Sequence, residues 1–150
     1  MPTDIFDGRR KVVIAMAHIG ALPGTPLYDA DGGMNRLIDG VARDIEKLQA
    51  GGVHAIMFGN ENDRPYRFAA TPEGVAAMTA VVMALKPMLK VPFGVNYLWD
   101  PVASVAIACA TGAAFAREIF TGVFASDMGL WRPNAAGALK LRRDLGRSDL

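Results

Sequence analysis

The sequence carries one cysteine, Cys109, among its 150 residues, so no internal disulfide can form. Its setting, Ala106-Ile107-Ala108-Cys109-Ala110, reads as a small buried hydrophobe rather than a nucleophile. No apolar run approaches the ~20 residues a membrane-spanning helix needs. None precedes Val12, as a signal peptide would require. Both absences lead us to expect a cytoplasmic protein with no integral membrane segment. Excess charge is missing too: 16 basic and 15 acidic residues leave a net charge of +1. That balance excludes nucleic acid as an expected partner, because phosphate recognition leaves a basic footprint. It also supplies no polybasic patch for anionic lipid. Lys140, Arg142, Arg143 and Arg147 cluster near the end of the chain and read as one solvated helix face. There is no P-loop, no GxGxxG and no His/Cys spacing suited to a transition metal.

What the chain does have is apolar material, 51% of its residues, with 16 glycines and only 8% aromatics. This is enough for one domain with a real core, and small residues let helices lie close on a sheet, as in α/β proteins. The first apolar run, 11–17, is continuous rather than alternating. A strand buried on both faces reads this way, which means a parallel sheet. A loop rich in Gly and Pro follows, from Gly20 to Gly33. Leu37, Ile38, Val41, Ile45 and Leu48 then mark one face of a helix over 34–50, stopped at Gly51-Gly52.

A second strand is predicted at 53–58. Thr71-Pro72 opens a second helix as N-cap and first-turn proline, and Lys86-Pro87 ends or kinks it. The third strand is 92–97. Asp100-Pro101 repeats the cap-plus-proline start of a short helix, which stops at Gly112. The fourth strand is 114–119, followed by a long loop without a hairpin signal and a last helix over 134–145. Four βα units in series imply right-handed crossovers and a parallel sheet. Periodicity alone leaves open whether they form a doubly wound sheet or part of a (β/α)₈ barrel, which typically needs about 250 residues.

Four stretches, taken in order, resemble the BtpA/SgcQ family. The first is Val13-Ile14-Ala15-Met16-Ala17-His18 with Leu22-Pro23-Gly24 and Pro26. The second runs from Gly51-Gly52-Val53-His54 through Gly59-Asn60-Glu61-Asn62-Asp63-Arg64-Pro65-Tyr66, and the third is Gly94-Val95-Asn96-Tyr97-Leu98-Trp99-Asp100. The fourth spans Ala110-Thr111-Gly112-Ala113, Arg117-Glu118, Thr121-Gly122 and Ser126-Asp127-Met128-Gly129. The resemblance implies an α/β fold: the N-terminal half of a TIM (β/α)₈ barrel, with 1–150 a single domain incomplete at its C-terminus. Sheet edges left open in this way would favour homo-oligomers. It also implies a phosphate-binding-barrel-like protein whose ligand is a small phosphorylated sugar- or nucleoside-like metabolite, with isomerase- or nucleosidase-like activity by analogy of fold. Two alternatives are a non-enzymatic biogenesis factor, peripherally membrane-associated and acting in photosystem I assembly, and an inactive truncated fragment.

In such barrels, active residues sit at the C-terminal strand ends and in the loops that follow. His18 directly follows the first strand, where a general acid or base belongs, though it can equally fix the Gly/Pro loop. Glu61 and Asp63, flanked by Asn60 and Asn62, suit acid–base work or a hard cation such as Mg²⁺, and equally suit a polar turn. Asn96 lies near the end of the third strand, placed to bond a substrate hydroxyl. Arg117 and Glu118 are adjacent and on a strand would face opposite ways. We favour Arg117 inward, holding an anion, with a buried ion pair as the alternative. Thr121 and Asp127 complete the polar set, Tyr97, Trp99 and Trp131 are candidate pocket walls, and the loop from Gly20 to Gly33 is a candidate lid. His54, at the far end of its strand, is expected to face solvent or support packing.

Overall fold

The computed structural model describes residues 4–150. Four strands, β1 (Ile14–His18), β2 (Ala55–Gly59), β3 (Phe93–Asn96) and β4 (Phe115–Ala116), form one parallel sheet in the order β1-β2-β3-β4. Between them run α1 (Gly33–Ala50), α2 (Pro72–Leu85), with a 3₁₀ turn at Lys86–Met88, and α3 (Pro101–Thr111). This is the expected series of βα units, with neighbours in sequence also neighbours in the sheet, as in a barrel wall.

The helices pack on one face of the sheet. Ala17, Ile56, Phe58, Phe93 and Val95 meet Val41 and Ile45 of α1, Met78, Val81 and Val82 of α2, and Ile107 and Ala108 of α3 in one core. Each large side chain buried there contributes roughly 1.5–3 kcal/mol. Alternation turns the intervening residues, Ile14, Met16, Met57, Gly94 and Phe115, to the opposite face. There the Phe115 ring occupies the space that a side chain at Gly94 would need. Both faces are therefore apolar, which is why the strands read as continuous runs.

The helix starts follow from their caps. Thr71 Oγ1 accepts from Gly74 N–H at 3.2 Å, and Asp100 Oδ1 accepts from Val102 and Ala103 N–H at 3.0 Å each. Asp100 Oδ2 also accepts from Ala70 N–H at 2.9 Å, so one carboxylate ties the α2 entry to the α3 start. His54 supports packing: its Nδ1 accepts from Val13 N–H at 3.0 Å. Cys109 is half-buried, and burial pushes its thiol above the ordinary range.

Three expectations change. The first strand begins at Ile14 rather than residue 11, and includes His18 as its last residue. The fourth strand is only Phe115–Ala116, so Arg117 and Glu118 lie just past its paired residues. The long loop after it contains an antiparallel hairpin, β5 (Phe124–Ser126) and β6 (Gly129–Trp131), with Asp127 and Met128 at its turn. The chain then enters α4 (Ala135–Asp144), capped by Asn134 Oδ1, which accepts from Gly137 N–H at 2.8 Å.

Candidate functional site

At the C-terminal edge of the sheet the register places four positions side by side. His18 pairs with Gly59, and Gly59 pairs with Asn96. Arg117 follows Ala116, the partner of Val95, and its N–H donates to Val95 O at 3.0 Å, so it stands next to Asn96. Alternation puts all four on the face opposite the helices, which would line the lumen of a closed barrel.

Gly59 is the opening in this row. A β-carbon there would lie 2.5 Å from both carboxylate oxygens of Glu61. The Glu61 side chain folds back over the strand end and fills the slot between His18 and Asn96. Its Oε1 is 3.7 Å from His18 Nε2. Its Oε2 is buried and has no hydrogen-bond partner among the described residues. The Glu61 backbone is held by Tyr66, whose hydroxyl donates to Glu61 O at 2.8 Å.

Asn96 is 1% exposed. Its Nδ2 donates to Arg117 O at 2.8 Å and to Glu118 Oε2 at 2.7 Å, which fixes the amide's orientation. Its Oδ1 is buried with no partner among the described residues. Glu118 Oε2 also accepts from Trp99 N–H at 3.2 Å, and Oε1 accepts from Ile119 N–H at 2.8 Å. Burial raises the Glu118 carboxyl above the ordinary carboxylate range, opposed by these hydrogen bonds and then by the Arg117 charge. The Arg117 side chain is exposed and makes no ion pair among the described residues. The buried Arg117–Glu118 pair is therefore replaced by a half-buried Glu118 bound to Asn96 and backbone.

The other acidic and amide residues have a different place. Asp63 Oδ1 accepts from Leu22 N–H at 2.7 Å, and its Oδ2 accepts from Asn60 Nδ2 at 3.0 Å. Asn60 Oδ1 accepts from Leu98 N–H at 2.7 Å, and Asn62 Nδ2 donates to Ile19 O at 2.7 Å. Together these bonds stitch the loops after β1, β2 and β3 to one another. They also pin Ile19 and the first part of the 20–33 loop, and both Ile19 and Leu22 are fully buried. Burial raises the Asp63 carboxyl, opposed by the bonds from Leu22 and Asn60. Both Asp63 oxygens accept a hydrogen bond within the loops, while the Glu61 carboxylate lies in the Gly59 slot beside His18. Among the described residues no group of three or more His, Cys, Asp or Glu is placed to hold a metal. Thr121 and Asp127 are exposed in the segment after β4 and do not join the row.

Two of the candidate pocket walls, Trp99 and Trp131, come together beside the row, joined by Tyr66, Phe68 and Phe124, which the sequence did not single out as partners. Trp99 and Trp131 meet edge to face at 5.0 Å between centroids, Tyr66 lies 6.1 Å from Trp99, and Phe68 and Phe124 pack on Trp131 at 6.1 and 5.7 Å. Trp99 holds a left-handed backbone, φ +69°, a conformation that costs a bulky residue roughly 1–3 kcal/mol. Its indole Nε1 is buried and unpartnered among the described residues. Alternation turns Tyr97 away from the row and among the helices, where it lines a separate small cavity with Asn60, Asp63 and Tyr66. Burial, reinforced by Asp63, Asp100 and Glu73, pushes the Tyr97 hydroxyl up to about 12. A cavity of about 480 Å³ reaches from His18 along α1 to Arg36 and Arg43, at the open β1 edge; Glu61 and Asn96 do not line it.

The parallel βα series and the polar row at its C-terminal edge define a barrel-type α/β protein. Solved structures agree on the fold. Xanthomonas albilineans dihydropteroate synthase with 4-aminobenzoic acid superposes with a TM-score of 0.59 and 22% identity, over 91% of this chain and 44% of that one. The Vibrio fischeri dihydropteroate synthase gives 0.59 at 18% identity, over 90% and 43%. The sequence model of the BtpA family matches residues 9–149, and the chain belongs to that family. It is 48% identical to the putative sgc region protein SgcQ of Escherichia coli over 95% of this chain and 53% of SgcQ. It is 35% identical to the photosystem I biogenesis protein BtpA of Synechocystis, over 89% of this chain and 47% of that protein. The chain thus spans about half the length of the curated relatives it matches.

Proposed function

We propose that the row at the C-terminal strand edge binds a small phosphorylated sugar- or nucleoside-like metabolite and moves a proton on it, in the manner of an isomerase. The observation that carries this reading is the pairing of His18 Nε2 with Glu61 Oε1 at 3.7 Å, at the ends of adjacent strands. An imidazole and a carboxylate so placed can act together: one takes a proton from the bound substrate while the other returns one, with no net change. The exposed guanidinium of Arg117 at the far end of the row would pair with the ligand's anionic group. The cytoplasm, where charged phosphates are retained, is the setting this reading favours. Among the described residues no helix is long and apolar enough to cross a membrane.

Thermal shift and calorimetry with a panel of pentose phosphates, hexose phosphates and nucleoside monophosphates test the reading. The expected result is stabilisation by at least one of them that is weakened, with affinity about tenfold lower, in both His18→Ala and Glu61→Ala. No shift with any member of the panel would sink it.

A further inference from the structure

The same site contains two buried oxygens of matching chemistry. Glu61 Oε2 and Asn96 Oδ1 are each without a partner among the described residues, and both are acceptors only. They are neighbours, because Asn96 is the register partner of Gly59 and the Glu61 carboxylate fills the Gly59 slot. Their orientation is not free. Asn96 Nδ2 is committed to Arg117 O and Glu118 on the β4 side, which leaves Oδ1 for whatever enters the row. Burying an acceptor without a donor costs about 1–3 kcal/mol, so two adjacent ones favour a ligand that brings two adjacent donors in place of a bridging water.

Resting on the function proposed above, we propose that Glu61 and Asn96 read a vicinal diol of the bound sugar, one hydroxyl donating to each oxygen. A phosphate cannot take this position, since its oxygens are acceptors that would face two more acceptors. The anionic end of the ligand therefore points away, toward Arg117. A divalent cation fits less well: Glu118, the further carboxylate at Asn96, is engaged by Asn96, Trp99 and Ile119, and among the described residues no group of three or more His, Cys, Asp or Glu is placed to hold a metal.

The test is calorimetric titration of the protein with ribose 5-phosphate and with 2-deoxyribose 5-phosphate, which in its furanose form lacks a vicinal diol. The expected preference for the ribose compound is about tenfold to a hundredfold. It should fall toward one in Glu61→Ala, and in Asn96→Ala if that variant melts cooperatively. Equal affinity for the two compounds in the wild type would overturn the diol reading and leave the phosphorylated-metabolite reading standing. A preference that survives in Glu61→Ala would overturn it as well. So would Mg²⁺ binding, in the absence of sugar, that Glu61→Ala abolishes. No binding of either compound, or of any other phosphate in the panel, would overturn both readings.

Discussion

Replacing Asp63 by Asn tests the network beneath the site. Asp63 is 6% exposed and accepts two hydrogen bonds, from Leu22 N–H at 2.7 Å and from Asn60 Nδ2 at 3.0 Å. The chain of donors has a fixed direction, because Leu98 N–H holds Asn60 Oδ1 and so turns the Asn60 amide group toward Asp63. An asparagine at 63 offers one acceptor where two are needed. Either Leu22 N–H or Asn60 Nδ2 must then face another donor, and flipping Asn60 only moves the conflict to Leu98. One orphaned buried donor costs about 1–3 kcal/mol. Loss of the buried charge offsets part of this, so the expected cost is about 2 kcal/mol, or roughly 4–8 °C in Tm for a chain of this size. Asp63→Ala orphans both donors and should cost more.

Urea denaturation at pH 7 measures it: the midpoint should fall with the slope unchanged. The pH dependence supplies a second check. The folded-state pKa of Asp63 is raised by burial, so the native state takes up the proton first. Wild-type stability at this site is then lost as pH rises through the raised value, and regained as pH falls through it. A protonated carboxyl keeps acceptor capacity on both oxygens, which an amide nitrogen lacks. Wild type should therefore gain on Asp63→Asn as the pH is lowered from neutrality. An Asp63→Asn variant with an unchanged urea midpoint, or one that closes the gap on acidification, would refute the reasoning.

Gly59→Ala should expel the Glu61 carboxylate from its slot while the flexible side chain swings clear. Tm should then stay within a few degrees of wild type, while affinity for the panel of phosphates falls about tenfold, by calorimetry. Burial raises Glu118 in the fold, so ¹³C NMR should place its carboxyl midpoint above the ordinary carboxylate range, and its contribution to stability should be lost as pH rises through that midpoint. Trp131→Ala removes the centre of the aromatic cluster; it should cost about 3–5 kcal/mol in denaturation and speed amide exchange across 124–131, and unchanged exchange would show that the hairpin holds without it.

Much of the fold was legible because each unit carries its own local signals. Thr71-Pro72 and Asp100-Pro101 announce helix starts, and the caps form as expected. The hairpin was missed because Phe124-Ala125-Ser126 and Gly129-Leu130-Trp131 are each only three residues long. Asp127 and Gly129 at the turn were the available signal. The cluster of Tyr66, Phe68, Trp99, Phe124 and Trp131 draws on three separate loops, and no periodicity links them.

By itself the sequence determined the α/β class, the order of the βα units and the polar character of the strand ends, since apolar runs, caps and glycine stops act within a few residues. Only the tertiary structure decided which polar residues meet. Glu61 and Asp63 are two residues apart and chemically alike, yet Asp63 turns to the backbone of Leu22, 41 positions away, while Glu61 turns into the slot beside His18. The choice depends on parallel register, which sets His18, Gly59 and Asn96 in one row, and on the missing side chain at Gly59 that leaves room for a carboxylate.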